Sequence, residues 1–162
     1  MLKRSHLAGL IAGSLAALLL TPPAIAVPTT GWTVLRHDGG VVQYPRDVFP
    51  VDAGAGTPRG RMLATPDGRA RLHVFTIPND RGETPAQFLA RVFPRDRGRL
   101  SYDRVAGNFF AVSQPSEGRI LYRRCNFTRD AMIHCIDVQY PRGEKRAWDG
   151  IVTRISLSLR PR

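Results

Sequence analysis

The amino-acid sequence predicts an α+β fold, in which an antiparallel β-sheet is flanked by two helices. Much of the chain consists of short runs rich in β-branched and aromatic residues, separated by turns that contain glycine, asparagine or aspartate. This order predicts consecutive hairpins and hence antiparallel pairing. Two segments instead place apolar residues at helical spacing. Because the strands are grouped and do not alternate with helices, the class is α+β and not α/β.

The first predicted element is a hairpin. Residues 32–36 and 41–44 are typical of strands, and the sequence Asp-Gly-Gly lies between them at 38–40. Glycine supplies the positive φ that a tight hairpin turn requires. Pro45 should end the second strand, and residues 46–60, rich in Gly, Pro and Asp, are predicted to form a loop.

A short strand, a turn and a longer strand come next. Residues 62–64 lead to the turn signal Pro-Asp-Gly at 66–68. Apolar residues occupy both alternating sets of positions in residues 72–77, so this strand should be covered on both faces.

Each of the two predicted helices has a local signal. Thr84 is the expected cap of the first helix, Pro85 suits its first position, and Gln87 completes a capping box. Pro94 should end this helix. The second helix is predicted over residues 144–159. Its apolar residues at helical spacing are Trp148, Ile151, Val152, Ile155 and Leu159.

A meander of four strands is predicted between the helices. The strands cover residues 100–105, 109–113, 120–128 and 131–140. Glycine, asparagine and aspartate place the turns at 107–108, 116–118 and 129–130.

Cys125 and Cys135 are the two cysteines of the chain, and they are predicted to form a disulfide across the last hairpin of the meander. If they face each other, then Phe127 faces Ile133 and Arg123 faces Asp137 on the same side of the sheet. A slip of one residue would destroy both the disulfide and the opposite-charge pair.

The N-terminus has the pattern of a cleavable export signal. Lys3 and Arg4 precede an apolar run at residues 7–20, and small residues end at Ala26. The run is shorter than the roughly 20 residues of a membrane-spanning helix. We therefore expect residues 1–26 to be removed, leaving a single globular domain at 27–162 that is periplasmic or secreted and monomeric.

The chain is strongly basic, with 24 Lys and Arg against 13 Asp and Glu and a net charge of +11. Such a charge favours an anionic partner, either a component of the cell envelope or a protein. The alternative is compositional bias, because only two of the basic residues are lysine. The candidate binding residues are Arg95, Arg97, Arg99, Arg123 and Arg124, and the alternative for each is a solvated basic surface.

The sequence offers no clear catalytic site. A histidine among His37, His73 and His134, with a nearby arginine, could support ribonuclease chemistry, which needs an acid–base pair and a cation. The alternative is that these are ordinary strand histidines. No serine lies in a nucleophile motif, and we expect neither a metal nor a cofactor.

Several features together resemble the PsbP-like fold, and more narrowly small secreted alphaproteobacterial proteins of unassigned function. They are Tyr44-Pro45, the helix from Pro85, Tyr122, and the C-terminal pattern Trp148-Asp149-x-Ile151-Val152-x-x-Ile155. The resemblance implies an antiparallel sheet covered by helices on both faces and a non-catalytic binding or assembly role. No binding residue carries over, because nothing before Trp32 matches the segment through which photosynthetic members bind partners. We therefore expect an exported, non-enzymatic binding or assembly domain, with a small secreted hydrolase such as a ribonuclease as the alternative.

Overall fold

The computed structural model describes residues 31–93 and 99–162. Within these residues the chain forms two α-helices, a short 3-10 turn at Arg142–Glu144 and ten strands. The helices are α1 (Pro85–Val92) and α2 (Lys145–Ser158). The strands are β1 (Trp32–His37), β2 (Gly40–Pro45), β3 (Val51–Asp52), β4 (Gly60–Ala64), β5 (Arg71–Pro78), β6 (Tyr102–Ala106), β7 (Phe109–Ser116), β8 (Arg119–Phe127), β9 (Met132–Pro141) and β10 (Arg160–Pro161).

Seven of these strands form one antiparallel sheet in the order β3-β4-β5-β9-β8-β7-β6. The predicted meander accounts for β6 to β9. Strand β5 then pairs with β9, which puts these two strands near the middle of the sheet. Side chains are buried on both faces of β5, as its sequence predicts. The α+β class is confirmed.

The first hairpin lies outside that sheet. Strands β1 and β2 form a second antiparallel sheet with β10, whereas the sequence suggested a single sheet. Asp38 and Gly39 both have positive φ, at 44° and 80°, which is the geometry of a tight hairpin turn. Gly40 lies so close to the main sheet that an added Cβ would be 3.1 Å from Nδ1 of His134.

Each face of the main sheet is covered by its own core. On one face, α1 packs Phe88 and Leu89 against Phe110 and the two cysteines. On the other face, α2 and the β1–β2 hairpin pack against β5 and β9. The buried residues of this second core include Leu35, Val42, Leu72, Ile136, Val138, Trp148 and Ile155. Helices therefore lie on both faces, as the resemblance implied.

The cap of α1 forms as predicted. Two very short strands, in contrast, were not predicted from the sequence. The hydroxyl of Thr84 accepts a hydrogen bond from the backbone of Gln87, and the Gln87 side chain accepts one from the backbone of Thr84. Strand β3 lies inside the predicted loop 46–60, and β10 follows α2 directly. Both have two residues, too few to show a periodicity.

The last hairpin has the predicted register. Cys125 lies opposite Cys135, Phe127 opposite Ile133, and Arg123 opposite Asp137. The two cysteine Cα atoms are 4.1 Å apart and the sulfurs are bonded. Both cysteines are fully buried in the core beneath α1.

Candidate functional site

A groove of about 470 Å³ opens between α2 and the outer strands β6, β7 and β8. Helix α2 packs mainly over β2 and β9. The outer strands therefore extend beyond the helix and leave part of their sheet face uncovered. Three cationic side chains and one carboxylate line the groove, together with aromatic, aliphatic and hydroxyl groups.

Two arginines lie at one end of the groove. Arg104 on β6 pairs in register with Ala111 on β7, and Ala111 pairs with Arg124 on β8. The small alanine side chain leaves space between two cations whose backbones are about 10 Å apart. Both guanidinium groups lie over the ring of Phe109, with Cζ at 5.6 Å for Arg104 and 4.1 Å for Arg124.

Neither guanidinium forms an ion pair within residues 31–93 and 99–162. Arg124 donates a hydrogen bond of 3.0 Å to the side-chain oxygen of Asn126, which is neutral. Burial lowers the pKa of Arg124, and the charge of Arg104 lowers it further against the opposing effect of Tyr122 and Tyr102. This end of the groove is therefore a positive site without a compensating carboxylate among the described residues.

Hydroxyl groups form the middle of the groove. Ser113 lies between Tyr102 and Tyr122 in the strand register, and the Tyr122 hydroxyl is 2.7 Å from Oγ of Ser156 on α2. Burial raises the pKa of Tyr122. Burial and the nearby carboxylate of Asp149 raise the pKa of Tyr140 to about 12. Both phenols are therefore neutral hydrogen-bonding groups at physiological pH and add no negative charge.

Helix α2 supplies the opposite wall of the groove. Lys145 and Asp149 form an exposed ion pair one helical turn apart, with 2.8 Å between nitrogen and oxygen. Val152 and Leu157 add apolar surface, and Leu157 is 72% exposed. The groove thus combines a positive end, a row of hydroxyls and an apolar wall.

The arginines predicted from the sequence lie in different places. Arg95 and Arg97 are outside the described residues, and Arg99 is exposed. Arg123 and Arg124 are adjacent in the sequence, but alternation along β8 sends them to opposite faces of the sheet. Only Arg124 lines the groove.

Arg123 is already neutralised on the α1 face. Its guanidinium donates two hydrogen bonds, of 2.6 and 2.5 Å, to the carboxylate of Asp137, and it lies over the rings of Phe75 and Phe93. His73 is the neighbour of Asp137 on the next strand. Its ring stacks on Phe75 and its Nε2 is 3.2 Å from the carbonyl oxygen of Ala55. Arg123 and Asp137 are therefore paired with each other, and His73 is held by its contacts with Phe75 and Ala55.

The other two histidines lie where the first hairpin meets the main sheet. His134 is only 4% exposed, and its Nδ1 is 3.1 Å from the hydroxyl of Thr76. Nε2 of His37 is buried without a hydrogen-bond partner among the described residues. Neither lines the groove.

Acid should destabilise the domain through His73 and His134. Burial lowers the pKa of both imidazoles below the ordinary value of 6.5. Near His134 the charges of Asp130 and Asp38 oppose this effect, and the charge of Arg59 reinforces it. The unfolded chain therefore binds more protons than the folded one as the pH falls through 6.5. Thermal melts should show a falling melting temperature across this range. The fall should be smaller in His134→Gln, and an equal fall in that variant would contradict the role of His134.

Sequence reasoning missed most of the groove. It did not select Arg104, Phe109, Tyr102 or Ser156. Only part of the signal for Arg104 was available in the turns. The turn at 107–108 aligns residue 104 with 111, but the turn predicted at 116–118 is one residue longer than the observed turn at 117–118 and so did not align 111 with 124.

No group of three or more His, Cys, Asp or Glu side chains among the described residues could hold a metal ion. No helix in that part of the chain is long and apolar enough to cross a membrane.

The fold is similar to that of cyanobacterial PsbP (CyanoP) from Synechocystis sp. PCC 6803, known from a solution structure. The two chains share 11% sequence identity with a TM-score of 0.60, and the alignment covers 89% of this chain and 99% of the other. The protein therefore has the PsbP-like fold that the sequence resemblance suggested. At this identity the likeness concerns fold and not function. No family model and no curated protein matches the sequence.

Proposed function

We propose that this protein is an exported, non-catalytic binding domain whose groove holds an anionic group of its partner. The observation that supports this proposal most strongly is the pair Arg104 and Arg124. Two guanidinium groups lie over one aromatic ring at the end of a groove, and neither has a carboxylate partner in residues 31–93 and 99–162.

The free groove is electrostatically unfavourable, and an anion would relieve it. Arg124 has lost part of its hydration and feels the like charge of Arg104. A carboxylate or phosphate placed between the two guanidiniums would accept charge-assisted hydrogen bonds from both. The neutral hydroxyls of Tyr122 and Ser113, which lie in the next row of the same groove, would add hydrogen-bonding groups for the rest of the ligand. The volume of about 470 Å³ is within the usual range of ligand sites.

The groove has the features of a binding site more than those of a hydrolase. Its lining residues include arginines and tyrosines but, among the described residues, no histidine. An acid–base mechanism needs a group that exchanges protons near neutral pH. The raised pKa values of Tyr122 and Tyr140 make these phenols poor candidates.

Export is part of the proposal. Residues 1–26 lie outside the described part of the chain, and their signal-like pattern supports removal during secretion. A buried disulfide fits an oxidising compartment such as the periplasm or the exterior. We propose that the exported domain, residues 27–162, acts as a monomer.

Replacing both groove arginines should abolish anion binding without unfolding the domain. Arg104→Gln/Arg124→Gln removes two charge-assisted contacts, so affinity should fall by roughly tenfold or more. Calorimetry would compare an acidic peptide, vesicles containing phosphatidylglycerol, and inorganic polyphosphate. Binding by the unmodified protein should weaken steeply from low to physiological ionic strength.

A matched control separates the groove from net charge. Arg36→Gln/Arg129→Gln removes two exposed arginines that do not line the groove. Its binding should stay close to that of the unmodified protein. Equal losses in the two double variants, or binding of none of the three probes at low salt, would show that the groove is not an anion site.

A further inference from the structure

Strand β6 forms one edge of the main sheet. It pairs with β7 on one side, and no described strand pairs with its other side. Tyr102 to Val105 are all exposed. Unpaired edge strands present backbone donors and acceptors to any additional strand, and folded proteins usually protect them.

Exposed apolar side chains surround this edge. Tyr102 is 44% exposed and points to the groove face, whereas Val105 is 39% exposed and points to the opposite face. Leu157, on the far wall of the groove, is 72% exposed. Within the described residues five large hydrophobic side chains are exposed, and these are three of them.

The backbone groups of Asp103 and Val105 point away from the sheet. The carbonyl of Ser113 on β7 accepts a hydrogen bond from Ser101, so it faces β6. Alternate residues of an antiparallel strand bond to the same neighbour. Tyr102 and Arg104, which pair with Ser113 and Ala111, therefore bond to β7. Asp103 and Val105 are the alternate residues of β6, so their amides and carbonyls face away from β7.

We propose that an extended, acidic segment of a partner protein adds to β6 as a further strand of the sheet. This inference rests on the proposed function and specifies the partner. Residues of the added strand beside Arg104 would lie on the groove face, where an acidic side chain is favoured. Opposite charges on directly opposed strand residues stabilise pairing. Residues beside Val105 would lie on the other face, where an apolar side chain is favoured.

A second copy of this chain fits the edge poorly. Antiparallel self-pairing through the outward-facing residues can oppose Asp103 to Asp103, or Arg104 to Arg104. Like charges in these positions are destabilising. The third register opposes Val105 to itself and overlaps only three residues of each strand, 104–106.

The test uses a capped hexapeptide that alternates valine and glutamate. Methylating a backbone nitrogen removes a hydrogen-bond donor and leaves the charge of the peptide unchanged, so it separates backbone pairing from charge. In the proposed arrangement the valine amides donate to β6 and the glutamate amides point outward. Methylating the valine nitrogens should weaken binding about tenfold or more. Methylating the glutamate nitrogens should leave affinity nearly unchanged. Hydrogen exchange at the amides of Asp103 and Val105 should slow when the unmethylated peptide binds.

The outcomes distinguish this inference from the proposed function. If both methylated peptides bind like the unmethylated one, and exchange at Asp103 and Val105 is unchanged, strand addition is wrong. Binding that still requires Arg104 and Arg124 would then leave the groove as an anion site. If no peptide binds while polyphosphate or vesicles do, the acidic-strand partner is wrong and the anion site stands.

Discussion

Replacing Asp137 with alanine should lower the free energy of unfolding by about 3 kcal/mol. For a domain of this size that loss corresponds to about 10 °C in melting temperature. The reason is that the charged guanidinium of Arg123 would stay largely buried without the carboxylate that now neutralises it. The side chains of Arg123 and Asp137 are only 23% and 13% exposed. Phe75 and Phe93 cover the guanidinium, so water could replace the carboxylate only in part.

The pKa of Arg123 is consistent with this dependence. Burial alone would lower it, but hydrogen bonds to Asp137 and the charge of Asp137 outweigh burial and raise it.

The double variant Arg123→Leu/Asp137→Leu should lose much less stability than Asp137→Ala, because it leaves no buried charge. Asp149→Ala breaks the exposed pair with Lys145 and should cost no more than about 0.5 kcal/mol. Denaturant unfolding of the three variants checks this order. A loss below about 1 kcal/mol in Asp137→Ala would show that water already solvates Arg123.

The last hairpin illustrates what sequence can determine. The short turn at Arg129 and Asp130 restricts the register of β8 and β9, and the cysteine pair selects one alignment. The pairing of Arg123 with Asp137 followed from that alignment. The placement of the first hairpin did not follow in this way. Strand patterns show that β1 and β2 pair with each other, but not which sheet they join. In the structure β2 pairs with the two residues of β10 and packs against α2.

The groove was harder to predict for a different reason. Neighbouring arginines in the sequence drew attention to 123 and 124, yet alternation along β8 separates them onto two faces. The turn positions predicted at 107–108 and 116–118 place Arg104 beside Ala111, but they place Ala111 beside Arg123 and not Arg124. They could not have shown that α2 packs over β2 and β9 and leaves β6 and β7 uncovered. The site therefore depends on helix position, which single-strand patterns do not encode.

Reducing the disulfide should lower the free energy of unfolding by roughly 2–3 kcal/mol, because the reduced chain regains conformational entropy when it unfolds. Cys125 and Cys135 are separated by ten positions, so the closed loop is short and the effect is moderate. The remaining core should keep the reduced domain folded at room temperature. Both cysteines are fully buried beneath α1, and a reductant should therefore reach them only when the domain opens.

Two measurements test this. Native protein should resist dithiothreitol, whereas protein exposed to reductant in denaturant should be reduced promptly. Equilibrium unfolding with and without reductant would then give the change in stability. Cys125→Ala/Cys135→Ala provides the control, since its stability should not respond to reductant. Rapid reduction of the native domain would show that the hairpin opens locally without global unfolding, and an unchanged unfolding midpoint would show that the bond does not stabilise the fold.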